Sequence, residues 1–369
     1  MNEQRNRPEW HPKNAGAEYA SSVMPGSDNV KQVSNKVFKR RNPSINEFKE
    51  GISLGDTVLL SKAITLVESS NKEHQKTAQE LLKEIFNLTG NSVRVGITGP
   101  PGAGKSTFIE ALGMFLIKNN LKVAVLAVDP SSSLSKGSIL GDKTRMQYLS
   151  NEKNAYIRPS PSSGTLGGVA KKTRETILLC EAAGYDVILI ETIGVGQSEI
   201  TVRSMVDFFM LLLLPGSGDE LQGIKKGVVE IADALVINKA DGNYKTKAKI
   251  TQREYLNALQ LLQPATEGWK TDVRTCSALE NVGISDIWSM INKFLDETKN
   301  SGVFDKRRND QMLHWVNSML EENIKSLFFE NETIASNLPE YYKKVLSGNI
   351  TPAIAVEELL GMFYNQQKP

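Results

Sequence analysis

The stretch Val93-Arg94-Val95-Gly96-Ile97-Thr98-Gly99-Pro100-Pro101-Gly102-Ala103-Gly104-Lys105-Ser106-Thr107-Phe108-Ile109-Glu110-Ala111-Leu112 decides how this chain is read. Its middle fits the phosphate-loop pattern G-x-x-x-x-G-K-[ST] at every fixed position. Residues 93–98 are apolar-rich, as a buried strand requires, and residues 107–112 open an amphipathic helix. Strand, glycine loop and helix form the context in which backbone N–H groups converge on phosphate oxygens. Gly99, Gly102 and Gly104 allow backbone angles and a close approach that a Cβ would block. Lys105 can reach β- and γ-phosphates, and the Ser106 hydroxyl can ligate Mg²⁺. The expected phosphate-contacting set is Gly99, Pro100, Pro101, Gly102, Ala103, Gly104, Lys105, Ser106 and Thr107.

Outward from this loop, buried strands alternate with amphipathic helices, the pattern of a parallel α/β sheet. Strands are expected over 93–98, 122–128, 155–158, 186–191, 208–214, 234–238 and 273–276, with helices between many of them, for example 170–183 and 246–262. Several strands are near-continuous apolar runs, as when helices cover both faces of a sheet. The fold class is therefore α/β: a P-loop nucleotide domain with a mostly parallel sheet over 91–298, plus helical extensions at either end. Residues 1–44 are rich in Asn, Ser, Pro, Gly and charge and are expected to be disordered. Residues 45–90 form a helical lead-in. Val58, Leu59, Ala63, Ile64 and Val67 recur at helical spacing, as do Ala78, Leu81, Leu82, Ile85 and Phe86, with Gly90 stopping the second helix. Beyond about Lys299 a helix over 306–330 carries Met312, Trp315, Val316, Met319, Leu320, Ile324 and Leu327. Shorter helices are expected over 339–346 and 351–364. Such a tail either packs on the domain or pairs with a second copy.

Composition removes several classes of function. A net charge of +2 over 369 residues lacks the basic excess of a nucleic-acid scaffold. The longest pure apolar run, 208–214, is far short of a membrane span. Two cysteines, Cys180 and Cys276, and three histidines are scattered, offering neither a disulfide framework nor a Cys/His metal site. No apolar signal core stands at the start, and Glu3, Glu9 and Glu18 suit a transit peptide poorly. A cytoplasmic protein is expected, with no membrane and no nucleic acid among its partners.

Polar motifs fall at the C-terminal strand ends, the edge where ligands bind in such sheets. Asn238-Lys239-Ala240-Asp241 fits N-K-x-D, the guanine-recognition pattern. A carboxylate at Asp241 accepts from both the ring N–H and the exocyclic amine of guanine, donors that adenine lacks in that arrangement. Lys239 can lie across the base, Asn238 can tie the loop together, and the backbone of Ser277, Ala278 and Leu279 is placed for the guanine oxygen. GTP and GDP are the expected ligands. Glu191 and Gly194 stand where D-x-x-G senses a γ-phosphate. The extra methylene of Glu191 suggests a water-mediated contact to Mg²⁺. Val195 occupies the place where many GTPases keep a glutamine for the attacking water, and Gln197 follows two positions later, so hydrolysis without a partner should be slow. Asp129 and Asp142 are further candidate Mg²⁺ ligands beside Ser106 and Glu191, and Arg145 is a candidate charge stabiliser. Each of these three also suits a surface ion pair. Residues 215–226, glycine-rich and charged, suit either a connecting loop or a mobile switch.

The runs GPPGAGKSTFIE, LAVDPSSS, GDKTRM, AYIRPSPSSGTLGGV, LIETIGVGQSE and GDELQGIKKG together resemble the methylmalonyl-CoA mutase-associated GTPases, the MeaB/ArgK type, which includes the mitochondrial form of cobalamin metabolism. The resemblance runs from about Gly55 through the helical tail, and residues 1–44 have no clear counterpart. It implies a GTPase chaperone that gates adenosylcobalamin loading and protects a B12-dependent acyl-CoA mutase, with methylmalonyl-CoA mutase the leading candidate. It further implies a homodimer built on the helical arm 299–369, and a Mg²⁺ and switch region containing Asp129, Asp142, Arg145 and Glu191. By the same resemblance, Lys225 becomes catalytic beside Lys105, Arg145 and Glu191 when the mutase is bound. Competing readings are a nickel-insertion GTPase, an ATP-dependent kinase tied to amino-acid transport, and a nucleotide-switch scaffold without turnover.

Overall fold

Among the described residues seven strands pair in one sheet, every pair parallel, in the order β3-β2-β4-β1-β5-β6-β7. The computed structural model describes residues 43–128, 146–159, 166–192, 198–217 and 226–366. The strands are β1 (Val93–Thr98), β2 (Val123–Val128), β3 (Ala155–Pro159), β4 (Val187–Thr192), β5 (Phe208–Leu213), β6 (Ala234–Ile237) and β7 (Asp272–Thr275). All seven expected strands are present, their ends shifted by a residue at most. The sheet is wholly parallel among the described residues.

The pleat sorts the apolar residues by parity. Ala124, Leu126, Ile188, Ile190, Phe209, Leu211 and Leu213 join one buried cluster. It is shared with α1 (Ile45–Ser53), α2 (Thr57–Glu68), α3 (Lys72–Ile85), α6 (Leu166–Ala182), α7 (Ser198–Arg203), α8 (Lys226–Glu230) and α9 (Lys245–Leu259). Their strand neighbours Val123, Val125, Val187, Leu189, Phe208, Met210 and Leu212 join the other cluster. That cluster is completed by α4 (Lys105–Lys118), α5 (Gln147–Ser150) and α10 (Ile284–Asn300). Both faces are covered, which is why these strands read as unbroken apolar runs.

Among the described residues three α-helices, not two, precede β1. The first, α1, starts on a capping box: the Ser44 hydroxyl accepts from Glu47 N–H, and the Glu47 carboxylate accepts from Ser44 N–H at 2.7 Å. In α2 the buried stripe is Leu60, Ala63, Ile64 and Val67, while Val58 is 62% exposed, so the expected stripe is displaced at its start. Asp56 sets that register, its carboxylate accepting from Val58 and Leu59 N–H as the N-cap.

After α10 come α11 (Val303–Phe329), α12 (Glu332–Leu346) and α13 (Pro352–Gln366). The expected start of the middle helix at Pro339 is overturned, because α12 begins seven residues earlier and contains Pro339. The Asn331 side chain caps Thr333 and Ile334 N–H, and Ile334 and Tyr341 are buried on either side of the proline. Cap and burial together offset the ~3 kcal/mol that an interior proline costs. No helix among the described residues is long and apolar enough to cross a membrane.

The foot of α11 is bound to the N-terminal edge of the sheet by buried ion pairs. Asp207, fully buried just before β5, accepts from Arg94 N–H and from Arg308 Nε and Nη2, each at 2.8 Å. Arg308 also lies 4.5 Å over the Phe304 ring. Asp233, equally buried before β6, pairs with Arg203 and Arg307 and accepts from Thr266. Removing one partner from such a pair strands the other charge in a dry site. Arg308→Ala should therefore lower the unfolding free energy by about 3–5 kcal/mol, read from the denaturant midpoint. A change within the range of ordinary surface substitutions would show that Asp207 is held by its backbone contact alone.

Candidate functional site

The phosphate loop runs from the end of β1 to the start of α4, at the centre of the sheet's C-terminal edge. β1 lies between β4 and β5, so the loop is flanked by the ends of both. Two glycines are required by space as well as angle. A Cβ on Gly99 would sit 2.4 Å from the Leu212 carbonyl oxygen. One on Gly104, which has φ +83°, would sit 2.8 Å from Asn238 Nδ2. Gly104 is also the N-cap of α4 and has no side chain to occupy the first N–H groups, so those of Lys105, Ser106 and Thr107 face outward at a helix N-terminus. An anion is the ligand such a terminus attracts.

Lys105 is buried against the loop, its Nζ donating to Gly99 O at 2.8 Å and Pro100 O at 3.3 Å. Burial pushes its ammonium below the usual lysine range, against the opposing pull of Glu191 and Glu199. The Ser106 hydroxyl donates to Glu191 Oε1 at 3.3 Å, so two hard oxygen donors from α4 and β4 meet beside the loop. Behind them the Thr192 hydroxyl donates to Thr98 Oγ1 at 2.7 Å in a fully buried contact that ties the ends of β1 and β4. Asp129, Asp142, Arg145, Gly194, Val195, Gln197 and Lys225 lie outside the described residues, as does most of the 215–226 stretch.

The base-side motif follows β6. Asn238 is buried, donating from Nδ2 to Ala103 O at 2.9 Å and accepting at Oδ1 from Ala278 N–H at 3.1 Å. One amide thus joins the phosphate loop to the loop after β7. Sequence reasoning aims the Ser277–Leu279 backbone at the guanine oxygen. Here the Ala278 N–H is engaged by Asn238, while the Leu279 side chain is 79% exposed. Lys239 adopts φ +58° and is exposed, with its Cε near Gly104. Asp241 accepts from the Ser277 hydroxyl at 2.6 Å, a bond that fixes the carboxylate while leaving its second oxygen to accept elsewhere. Ser277 is held in turn by paired backbone bonds with Val282. A fixed, acceptor-only carboxylate selects for a ligand edge with two adjacent N–H donors.

One residue of this site was not singled out by motif. Glu199, 3% exposed at the start of α7, is the second carboxylate acting on Lys105. The signal available was its place eight residues after Glu191 in the same glycine-containing stretch, but burial cannot be read from that spacing.

Residues 60–333 match the family described as methylmalonyl Co-A mutase-associated GTPase MeaB. A probable GTPase of Mycobacterium tuberculosis is 50% identical over 306 residues, covering 83% of this chain and 91% of that protein. The mouse protein named methylmalonic aciduria type A homolog, mitochondrial, is 46% identical over 329 residues, covering 86% of this chain and 79% of that one. A crystal structure titled LAO/AO transport system kinase superimposes with a TM-score of 0.70 at 39% identity, over 87% of this chain and 97% of that one. The phosphate loop, the N-K-x-D geometry and this breadth of similarity lead to one conclusion: the chain belongs to the MeaB family of methylmalonyl-CoA mutase-associated GTPases, and it is a GTPase.

Proposed function

We propose that this GTPase is a chaperone of a B12-dependent acyl-CoA mutase, foremost methylmalonyl-CoA mutase, gating adenosylcobalamin loading and protecting the enzyme. The observation that carries this reading is the match of residues 60–333 to a family described by its association with that mutase. The protein acts in the cytoplasm on this reading, and its two cysteines are free and buried.

In this reading the loop residues Gly99 to Thr107 and the α4 N-terminus hold the phosphates, while Asp241 and Lys239 hold guanine. Ser106 and Glu191 fit Mg²⁺, being oxygen donors from two elements that already meet at 3.3 Å. Asp129 and Asp142 would complete the set, and the ion would supply charge neutralisation on the β- and γ-phosphates. Lys105, Arg145 and Lys225 are the cations assigned to charge developing in the transition state. Valine at 195, where many GTPases keep a glutamine for the attacking water, supports a turnover that waits on the partner.

The arm 299–369 is assigned to homodimerisation. Leu313, Leu320, Ile324 and Leu327 of α11 are each more than half exposed and recur at spacings of seven, four and three. That is an apolar stripe on one helix face left exposed among the described residues. A Leu320→Glu, Ile324→Glu double variant should sediment as a monomer where the wild type sediments as a dimer. Identical sedimentation would remove the arm from the interface.

Asp241→Asn replaces one acceptor with a donor toward the base. GDP affinity should fall roughly 10-fold or more, and xanthosine diphosphate, with an oxygen where guanine has its amine, should bind in its place. Competition of a fluorescent GDP analogue reads both. Comparable affinity for ATP in the wild type would favour the kinase reading suggested by the solved relative's title. GTP turnover with Mg²⁺ should rise by ~10-fold or more when the cognate cobalamin-dependent mutase is added, and absence of a rise would overturn the chaperone assignment.

A further inference from the structure

The short helix α7 has its two ends in different parts of the molecule. At its start Glu199 is buried, and its Val202 packs against β1, the strand that runs into the phosphate loop, so closely that a Cβ on Gly96 would sit 3.0 Å from Val202 Cγ1. Its last turn meets the foot of the arm helix α11 through two side chains. Arg174 of α6 donates from Nη1 to Gln311 O at 2.9 Å, and from Nη2 to Ser204 O at 2.9 Å and Ser204 Oγ at 2.8 Å. Gln311 of α11 donates from Nε2 to Val206 O at 2.8 Å and Arg203 O at 3.5 Å. Arg174 also stands 5.7 Å over the Trp315 ring of α11.

Two properties set this junction apart from ordinary cement. Arg174 is 7% exposed, and those hydrogen bonds all go to neutral oxygens. Burial accordingly pulls its guanidinium down to about 10. A buried cation bonded to neutral groups is a costly way to fasten two helices, and apolar packing would serve better. The junction also has room and spare bonding capacity. A cavity of about 180 Å³ lies between α6, α7 and α11, lined in part by Thr201, Ser204, Trp315 and Met319. Gln311 Oε1 and Trp315 Nε1 are buried with no hydrogen-bond partner among the described residues. A close-packed interface moves as a block, whereas one with a gap and unpaired groups has a second arrangement open to it.

We propose that Arg174 and Gln311 form a joint that couples α7 to the arm, so that the nucleotide held at Lys105 sets the pose of α11. By linkage, whatever holds the arm biases the hydrolysis site to the same degree. Both are positioning residues. The proposal rests on the nucleotide site assigned above and not on the identity of the partner.

The test is hydrogen–deuterium exchange on the full chain, free of nucleotide, with GDP, and with a non-hydrolysable GTP analogue. Peptides within 303–320 should change exchange rate by roughly fivefold or more between the GDP and GTP-analogue states of the wild type. In Ser204→Ala, which removes one acceptor, and in Arg174→Lys, which keeps the charge but loses the fork, that difference should shrink or vanish. GDP affinity should stay within about twofold of wild type in both. Equal exchange in the two wild-type states, or a response that persists in both folded variants, would overturn the joint. Should Arg174→Lys fail to fold, Ser204→Ala carries the comparison. Failure of the wild type to bind fluorescent GDP would instead overturn the nucleotide site itself, and the joint with it.

Discussion

The buried amide of Asn238 is the contact on which the nucleotide edge depends. Its Nδ2 fastens the phosphate loop at Ala103, and its Oδ1 fastens the β7 loop at Ala278. Without it the two halves of the site would be separate loops on separate strands. A neutral amide is the side chain that can do this, because it donates and accepts on opposite corners of a rigid plane. In a site with no water to substitute, each unmade bond would cost about 1–3 kcal/mol. The Gly104 position is part of the same constraint, since any Cβ there would displace Nδ2.

The molecule keeps its two kinds of charge at opposite ends of the strands. At the C-terminal ends stand Lys105, Glu191, Lys239 and Asp241, three of them tethered by neutral groups: the Gly99 and Pro100 carbonyls, the Ser106 hydroxyl and the Ser277 hydroxyl. At the N-terminal ends, Asp207 and Asp233 are saturated by Arg94 N–H, Arg203, Arg307 and Arg308. The first arrangement suits chemistry and the second suits anchorage. The arm therefore grips the sheet at the end remote from the nucleotide, and α7 is an element that reaches both.

How much of this could be read in advance follows from the range of the interactions. The strands were legible because burial on both faces leaves an apolar run whatever the rest of the chain does. Lys105, Ser106, Asn238 and Asp241 were legible because each motif is a few residues long and its geometry is local. The helix α1 leaves a faint sequence pattern because its nine residues bury only Phe48, Gly51 and Ile52, although the Ser44–Glu47 box marks its start. Pro339 reads locally as a helix start, and the Asn331 cap with the burial of Ile334 overrides that local rule. The grip of Arg307 and Arg308 was beyond reach, since their partners lie 74 and 101 residues away. The same holds for Glu199 and Arg174, whose meaning is set by what folds against them.

The place of β1 in the sheet also fixes when the molecule can come together. β1 ends at residue 98, yet its neighbours are β4, which ends at 192, and β5, which ends at 213. A chain growing from the ribosome must hold its central strand unpaired for about ninety residues. Asn238 and Ala278 arrive later still, so the loop that binds phosphate is emitted early and fastened near the end. Such long-range parallel pairing folds slowly and exposes strand edges meanwhile. A ligand that binds only the finished edge then adds its binding energy to the folded state. For the nascent protein, the cell's GTP and GDP are a folding ligand before they are a substrate and a product.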